Sequence, residues 1–417
     1  MGLFLIIALL VIVSAFYSYI NARYIRLPGT IGIITIAIIV SLITIIIDKL
    51  DPSIAGHLTV LAKNINFPGT VLNIMLGFLL FAGSFNSNTK RLKRELRPVF
   101  ILSTLSVILS AAVFGALFYY VTMLFDIHMS LIYCFLFGAL ISPTDPVAVG
   151  AIIKNSKLPV HLSTIISGES LFNDGVGLVL FVTVLEAIRS GVDNISFANT
   201  LVLFIREVFG GLALGLVLGF IAFRLMRSIT DFQTIVLVSL SLVMSISVIA
   251  TYLHLSIPLA AVTAGLFTGG RTINLDEKER SHEALEKFWQ LTDEMLNTIL
   301  FVMIGLQMVN LPYITNYWLT GGIAIVLILI ARWISILLPL TFLRRSLNVN
   351  YGSINILTWA GVRGGISIAL ALSLPPSPYR HVILCGSYFV VIFSIVIQGL
   401  TLNKVINYSM REKKAVE

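Results

Sequence analysis

Apolar runs of roughly helix-spanning length, separated by short polar connections, repeat along the whole chain. An apolar helix of about 20 residues crosses the hydrocarbon core of a bilayer. Thirteen such runs can be placed, at 2–20, 28–47, 69–86, 98–125, 129–153, 162–188, 200–226, 232–253, 257–270, 291–309, 317–340, 351–374 and 380–402. The ninth is short, and the seventh starts near the interface because Arg206 and Glu207 stand at its beginning. The pattern predicts an all-α integral membrane protein with about 13 transmembrane helices.

Composition agrees. Of 417 residues, 57% are hydrophobic and 12% charged, with a mean hydropathy of +0.98. A soluble domain carries about 25% charged residues. The first run has no basic residues before it and no small-residue cleavage pattern, so it reads as a retained helix and not a removed signal peptide. Cys134 and Cys385 lie inside apolar runs without the spacing of a disulfide framework or zinc site, and read as small buried hydrophobes.

The net charge of +8 is arranged by topology. Alternate connections hold 21 of the 28 Lys and Arg residues, the richest containing Lys90, Arg91, Lys93, Arg94 and Arg97. Lys and Arg concentrate in cytoplasmic loops. The N-terminus is therefore expected outside and the C-terminus in the cytoplasm, and the basic excess needs no nucleic-acid partner. A short chain without a long polar tail fits a prokaryotic cell (inner) membrane.

Thirteen spans allow two six-span halves of opposite orientation around a linking helix, the inverted-repeat plan of secondary transporters. The expected organisation is a single transporter domain over 1–417. A first repeat spans 1–190, a linker helix 200–226, a second repeat 232–402 and a short cytoplasmic tail 403–417. Arg271 to Gln290 reads as a short charged helix with a solvated face. No stretch has room for a soluble enzyme domain. In the seventh span Gly211, Gly215 and Gly219 form a small-residue ridge, open to a contact within the chain or a dimer seam.

Ionisable groups inside spans are costly and need reasons. The clearest are Asp145, Glu169, Asp174, Arg332 and Arg363, and a plain helix-holding ion pair can explain some of them. Ser142-Pro143-Thr144-Asp145-Pro146 places two prolines three residues apart in the fifth span, which breaks the helix. Unwound backbone is tolerated at membrane depth only where it is buried in protein or lines a cavity. Its carbonyls, the Thr144 hydroxyl and the Asp145 carboxylate are hard oxygen ligands suited to a small alkali cation. Gly361-Val362-Arg363-Gly364-Gly365 loosens the twelfth span at the position inverted symmetry pairs with this break. Crossed broken helices need charge at their ends, and Asp145 and Arg363 can supply it. In the sixth span, Gly168-Glu169-Ser170-Leu171-Phe172-Asn173-Asp174-Gly175 presents two polar ridges, Ser170/Asp174 and Glu169/Asn173. Ser170 follows Gly168 but lacks the final glycine and the strand–helix setting of a nucleophile elbow, so hydrolysis fits poorly.

These segments, together with Phe288-Trp289, Leu296-Asn297 and Ile304-Gly305-Leu306, resemble in order and spacing the monovalent cation/proton antiporter family. The resemblance is to its NhaP-type branch, related to animal sodium/proton exchangers, and covers essentially the whole chain. It implies a thirteen-helix fold with a dimerisation domain and a moving core, and a homodimer. It implies that Asp174 carries the transported ion with Asn173 beside it. Thr144, Asp145 and Ser170 would lie in or near the ion site, with Na⁺ held at Asp174, Thr144 and Ser170, and Glu169 would pair structurally with Arg332. Some relatives carry a third-helix glutamate where this sequence has Ala82, so cation preference is open.

The expected function is exchange of Na⁺ or Li⁺ for H⁺ by alternating access. One titrating carrier next to an amide suggests an electroneutral cycle. No cofactor is expected beyond the transported ions. A K⁺/H⁺ antiporter of the same fold and a cation channel are the alternatives. His161 and His282 lie on the expected cytoplasmic side and read as bystanders.

Overall fold

The computed structural model describes residues 3–50, 66–125, 127–154, 156–190, 197–269, 276–309, 317–343 and 351–416. Among these the chain is helical throughout, with short connections. Helix α1 (Leu3–Ile20) runs into a π-helical turn at Asn21–Ile25 and is followed by α2 (Gly29–Leu50) and α3 (Phe67–Phe85). The short basic helix α4 (Thr89–Arg94) leads into α5 (Leu96–Leu124). Helices α6 (Leu131–Ile141) and α7 (Pro146–Lys154) are the halves of one broken span, followed by α8 (Val160–Arg189). Next come α9 (Phe197–Ser228), α10 (Phe232–Leu253), α11 (Ile257–Gly269), α12 (Asp276–Met308) and α13 (Trp318–Phe342). A second broken span is formed by α14 (Ile354–Trp359) and α15 (Gly365–Ser373). The last span is α16 (Arg380–Ile392), a π-helical stretch at Phe393–Gln398, and α17 (Gly399–Val416).

Nine helices among the described residues are long and apolar enough to cross a membrane. The four other expected spans appear as the two broken ones, the short α11, and the apolar half of α12. That last helix departs from expectation. The polar stretch before residue 291 is not a separate short helix. From Asp276 it is continuous with the tenth span, because neither proline nor glycine interrupts the run before Gly305. Likewise α17 carries helix through most of the expected tail.

Local chemistry explains the ends that matter. The Asp231 carboxylate caps α10, accepting from the Thr234 N–H (2.8 Å) and hydroxyl (2.6 Å). The Thr234 hydroxyl and N–H hold that carboxyl below the usual carboxylate range, so the cap is charged at neutral pH. The glycine ridge of α9 packs within the chain: a Cβ at Gly215 would lie 2.3 Å from the Ala260 carbonyl oxygen, and at Gly211 2.8 Å from that of Ser256. Small residues here allow α9 and α11 to meet backbone to backbone, and the opposite flank of α9 is left outward, with Phe209, Val217 and Phe220 exposed.

Candidate functional site

The two broken spans cross. Pro143 and Pro146 supply no N–H, so α6 stops at Ile141 and α7 begins with Pro146 in its favoured first position. The second break, 360–364, passes alongside, and the Asp145 N–H donates to the Val362 carbonyl (2.7 Å). Four half-helix ends thus meet deep in the protein, each with unsatisfied backbone groups and a partial charge.

Two side chains serve these ends. Fully buried Arg363 donates from Nε to the Ile141 carbonyl (3.2 Å) and from Nη1 to the Gly361 carbonyl, so one guanidinium serves the C-terminal ends of α6 and α14. Asp145 does the converse. Its Oδ1 accepts from the Val147 N–H at the start of α7 (2.8 Å), and its Oδ2 lies against Gly364, the N-cap of α15. A Cβ at Gly364 would stand 2.0 Å from that oxygen. Gly364→Ala is therefore expected to fold but to swing the carboxylate off one helix end, a loss of up to about 2 kcal/mol read as a lowered Tm.

Helix α8 brings its polar residues to the break in three directions. Asn173 is clamped on Thr144: its Nδ2 donates to Thr144 Oγ1 (2.7 Å) while its Oδ1 accepts from the Thr144 N–H (3.3 Å). Ser170 Oγ shares a hydrogen bond with the same Thr144 hydroxyl (2.9 Å). Thr144, Ser170 and Asn173 are all essentially inaccessible. Thr144 thus takes one residue from each ridge seen in the sequence. Asn173→Ala leaves the buried Thr144 N–H without that acceptor, and a loss of about 1–3 kcal/mol is expected, read as a lowered Tm.

Glu169 points elsewhere and pairs with Arg332 of α13, both buried. The Arg332 carbonyl accepts from Ser335 Oγ (2.8 Å), and Ser106 of α5 donates to that hydroxyl (3.0 Å), tying α13 to α5 beside the pair.

Asp174 is different. It is only 2% exposed, and among the described residues its carboxylate forms no hydrogen bond or ion pair. With Asp145 it lines a cavity of about 1050 Å³. Its lining includes Asn88, Arg91, Ser156 and Leu158, from connections of the basic-rich set.

One wall was not read from the sequence. Glu286, Gln290, Asp293, Glu294 and Asn297 of α12 line the cavity. Their spacing is helical, and continuity of the polar stretch with the tenth span would have placed them on one stripe. Asn297 donates to Asp293 Oδ1 (2.9 Å), fixing one carboxylate of that stripe. Ala82 is fully buried in an apolar cluster with Phe81 and Phe85, and α3 lends the cavity Leu79, Leu80 and Gly83 instead. His161 faces Glu95 (Nδ1 to Oε1, 2.8 Å), while the side chain of His282 lies outside the described residues. No group of three or more His, Cys, Asp or Glu among the described residues is arranged to hold a resident metal ion.

Membrane-spanning helices, two of them broken and crossed beside a cavity lined by a buried carboxylate, define a multi-pass protein of transmembrane ion transport. The chain belongs to the sodium/hydrogen exchanger family, whose transmembrane region matches residues 10–407. It is 38% identical over 409 residues to the Na(+)/H(+) antiporter NhaP of Pseudomonas aeruginosa, covering 96% of each chain. It is 30% identical to the Na(+)/H(+) antiporter NhaH of Halobacillus aidingensis, covering 92% of this chain and 93% of that one. Its fold matches the sodium proton antiporter MjNhaP1 of Methanocaldococcus jannaschii with a TM-score of 0.77 at 18% identity, over 98% of this chain and 99% of that one.

Proposed function

We propose that this chain exchanges Na⁺, or Li⁺, for H⁺ across the cell membrane by alternating access, with Asp174 as the shared carrier. The observation that carries the reading is a buried carboxylate lining a cavity, without a hydrogen-bond or ion-pair partner among the described residues. Such a charge is costly alone in a low-dielectric setting. A proton removes it and a bound cation balances it, so the two compete for one group. The carrier crosses when occupied and is held back when bare. Thr144, Ser170 and Asp145 contribute oxygens beside it, and Asn173 holds the broken segment in place.

Asn173 is an amide and Asp145 is engaged by helix ends, which leaves one carboxylate to titrate and supports an electroneutral cycle. The cavity is lined in part by residues of the basic-rich connections, which supports a conformation facing the cytoplasm, with the N-terminus outside. The repeats 1–190 and 232–402 flank the linker 200–226, and a core domain carrying Asp174 moves against a dimerisation domain within a homodimer. The NhaP and NhaH relatives, described as Na(+)/H(+) antiporters, support sodium as the cation.

The test uses purified protein in vesicles with an internal pH dye and an imposed proton gradient. Adding Na⁺ or Li⁺ should collapse the gradient. A response to K⁺ alone would reassign the cation, and proton flux indifferent to cations would indicate a channel.

A further inference from the structure

The basic connection before α5 carries more than its topological share of charge. Lys90, Lys93 and Arg94 stand at i, i+3 and i+4 on one face of α4, and Arg97 follows in the first turn of α5. All four are exposed, and none forms a salt bridge among the described residues. The only acid between them, Glu95, is engaged by His161. Arg91 is set apart, lining the cavity. Among and just after the cations, Leu96 and Phe100 are 46% and 60% exposed where α5 starts its membrane span. Cations next to outward apolar side chains at a span boundary are the arrangement of an interfacial segment on an anionic membrane surface.

The inner side of α4 reaches the ion-carrying helix. Leu92 is buried, and a Cβ at Gly168 of α8 would lie 2.6 Å from its Cδ1. Gly168 adjoins Glu169, and Asp174 lies six residues further along the same helix. The contact between His161 in the first turn of α8 and Glu95 is a second tie at this junction.

We propose that the exposed face of α4, with Lys90, Lys93, Arg94 and Arg97, binds the headgroups of anionic phospholipids, and that this contact acts on α8 through Leu92 and Gly168. The rate part of the inference rests on the exchange reading above, and the binding part does not.

Native mass spectrometry of the full chain, released from micelles with phosphatidylglycerol or phosphatidylcholine, tests the binding. The variant Lys90→Gln/Lys93→Gln/Arg94→Gln/Arg97→Gln should retain roughly tenfold less phosphatidylglycerol than wild type, since each cation near such a surface contributes attraction. A control removing other exposed cations of the basic-rich connections, Arg23→Gln/Arg26→Gln/Arg224→Gln/Lys404→Gln, should retain it as wild type does. Equal retention by the α4 variant, in a protein of normal elution and Tm, overturns the site. Displacement of the lipid by inorganic phosphate that itself supports exchange in neutral vesicles overturns the lipid assignment in favour of a soluble phosphate ligand.

For the coupling, wild type should exchange several-fold faster in vesicles containing phosphatidylglycerol than in phosphatidylcholine alone. Leu92→Ala should keep the lipid but lose that acceleration. Acceleration that survives Leu92→Ala overturns the coupling. If no vesicle shows exchange at all, the proposed function fails, while lipid retention still decides this surface.

Discussion

Asp174→Asn should abolish cation-driven proton movement in vesicles while leaving the protein folded. Asparagine nearly preserves the shape of the side chain, and the cavity already leaves that carboxylate without a protein partner, so no buried ion pair is broken. What disappears is the charge. A cation at membrane depth without compensation costs about 3 kcal/mol or more, equivalent to at least about a 100-fold loss of occupancy. The amide also cannot take up and release a proton at physiological pH, so neither half of the exchange proceeds. The measurement is the Na⁺-dependent collapse of a pH gradient, with Tm as the folding control. A Tm that holds with exchange gone supports the carrier role, and exchange that persists assigns the carrier elsewhere. Competition adds a pH signature in wild type. The apparent KM for Na⁺ should rise as pH falls, approaching about tenfold per unit where protonation dominates the site.

The opposite outcome is expected at Glu169. Glu169→Gln or Arg332→Ala should damage the fold more than the chemistry. The two side chains are 2% and 1% exposed, and removing one leaves the other charge buried without its partner. Breaking a buried pair in this way costs about 3–5 kcal/mol. Both single variants should show a large fall in Tm and in yield. Because the penalty belongs to the orphaned charge, Glu169→Met/Arg332→Leu together should recover much of the stability that either change loses alone. A double variant no better than the singles would mean the pair contributes by more than mutual neutralisation. The contrast with Asp174, five residues along the same helix, is one of partners: one carboxylate has a guanidinium, the other an open cavity.

The neighbourhood of Asn173 shows where sequence reasoning reached its limit. The motif at 168–175 declares itself as costly polarity inside an apolar span, and helical spacing sorts it into two ridges. It does not reveal that both ridges meet on Thr144 while Asp174 turns to the cavity. The polar residues of α12 teach the reverse lesson. The stretch up to Gln290 read as a solvated link, yet Glu286 and Gln290 continue the helix of Asp293, Glu294 and Asn297 and form one wall of the cavity with them.

What the sequence alone determined is therefore what the membrane dictates locally. An apolar run must be a helix, a proline pair or a glycine cluster must interrupt it, and a Lys/Arg-rich connection marks one side, all within a few tens of residues. The tertiary structure alone decided the pairings: Asp145 with Val362, Arg363 with Ile141, Asn173 with Thr144, and the glycine ridge of α9 with α11 instead of a second copy. Those depend on which helices stand opposite one another and how each is rotated about its axis. That is set by close packing of many distant side chains at once, and no local pattern records it.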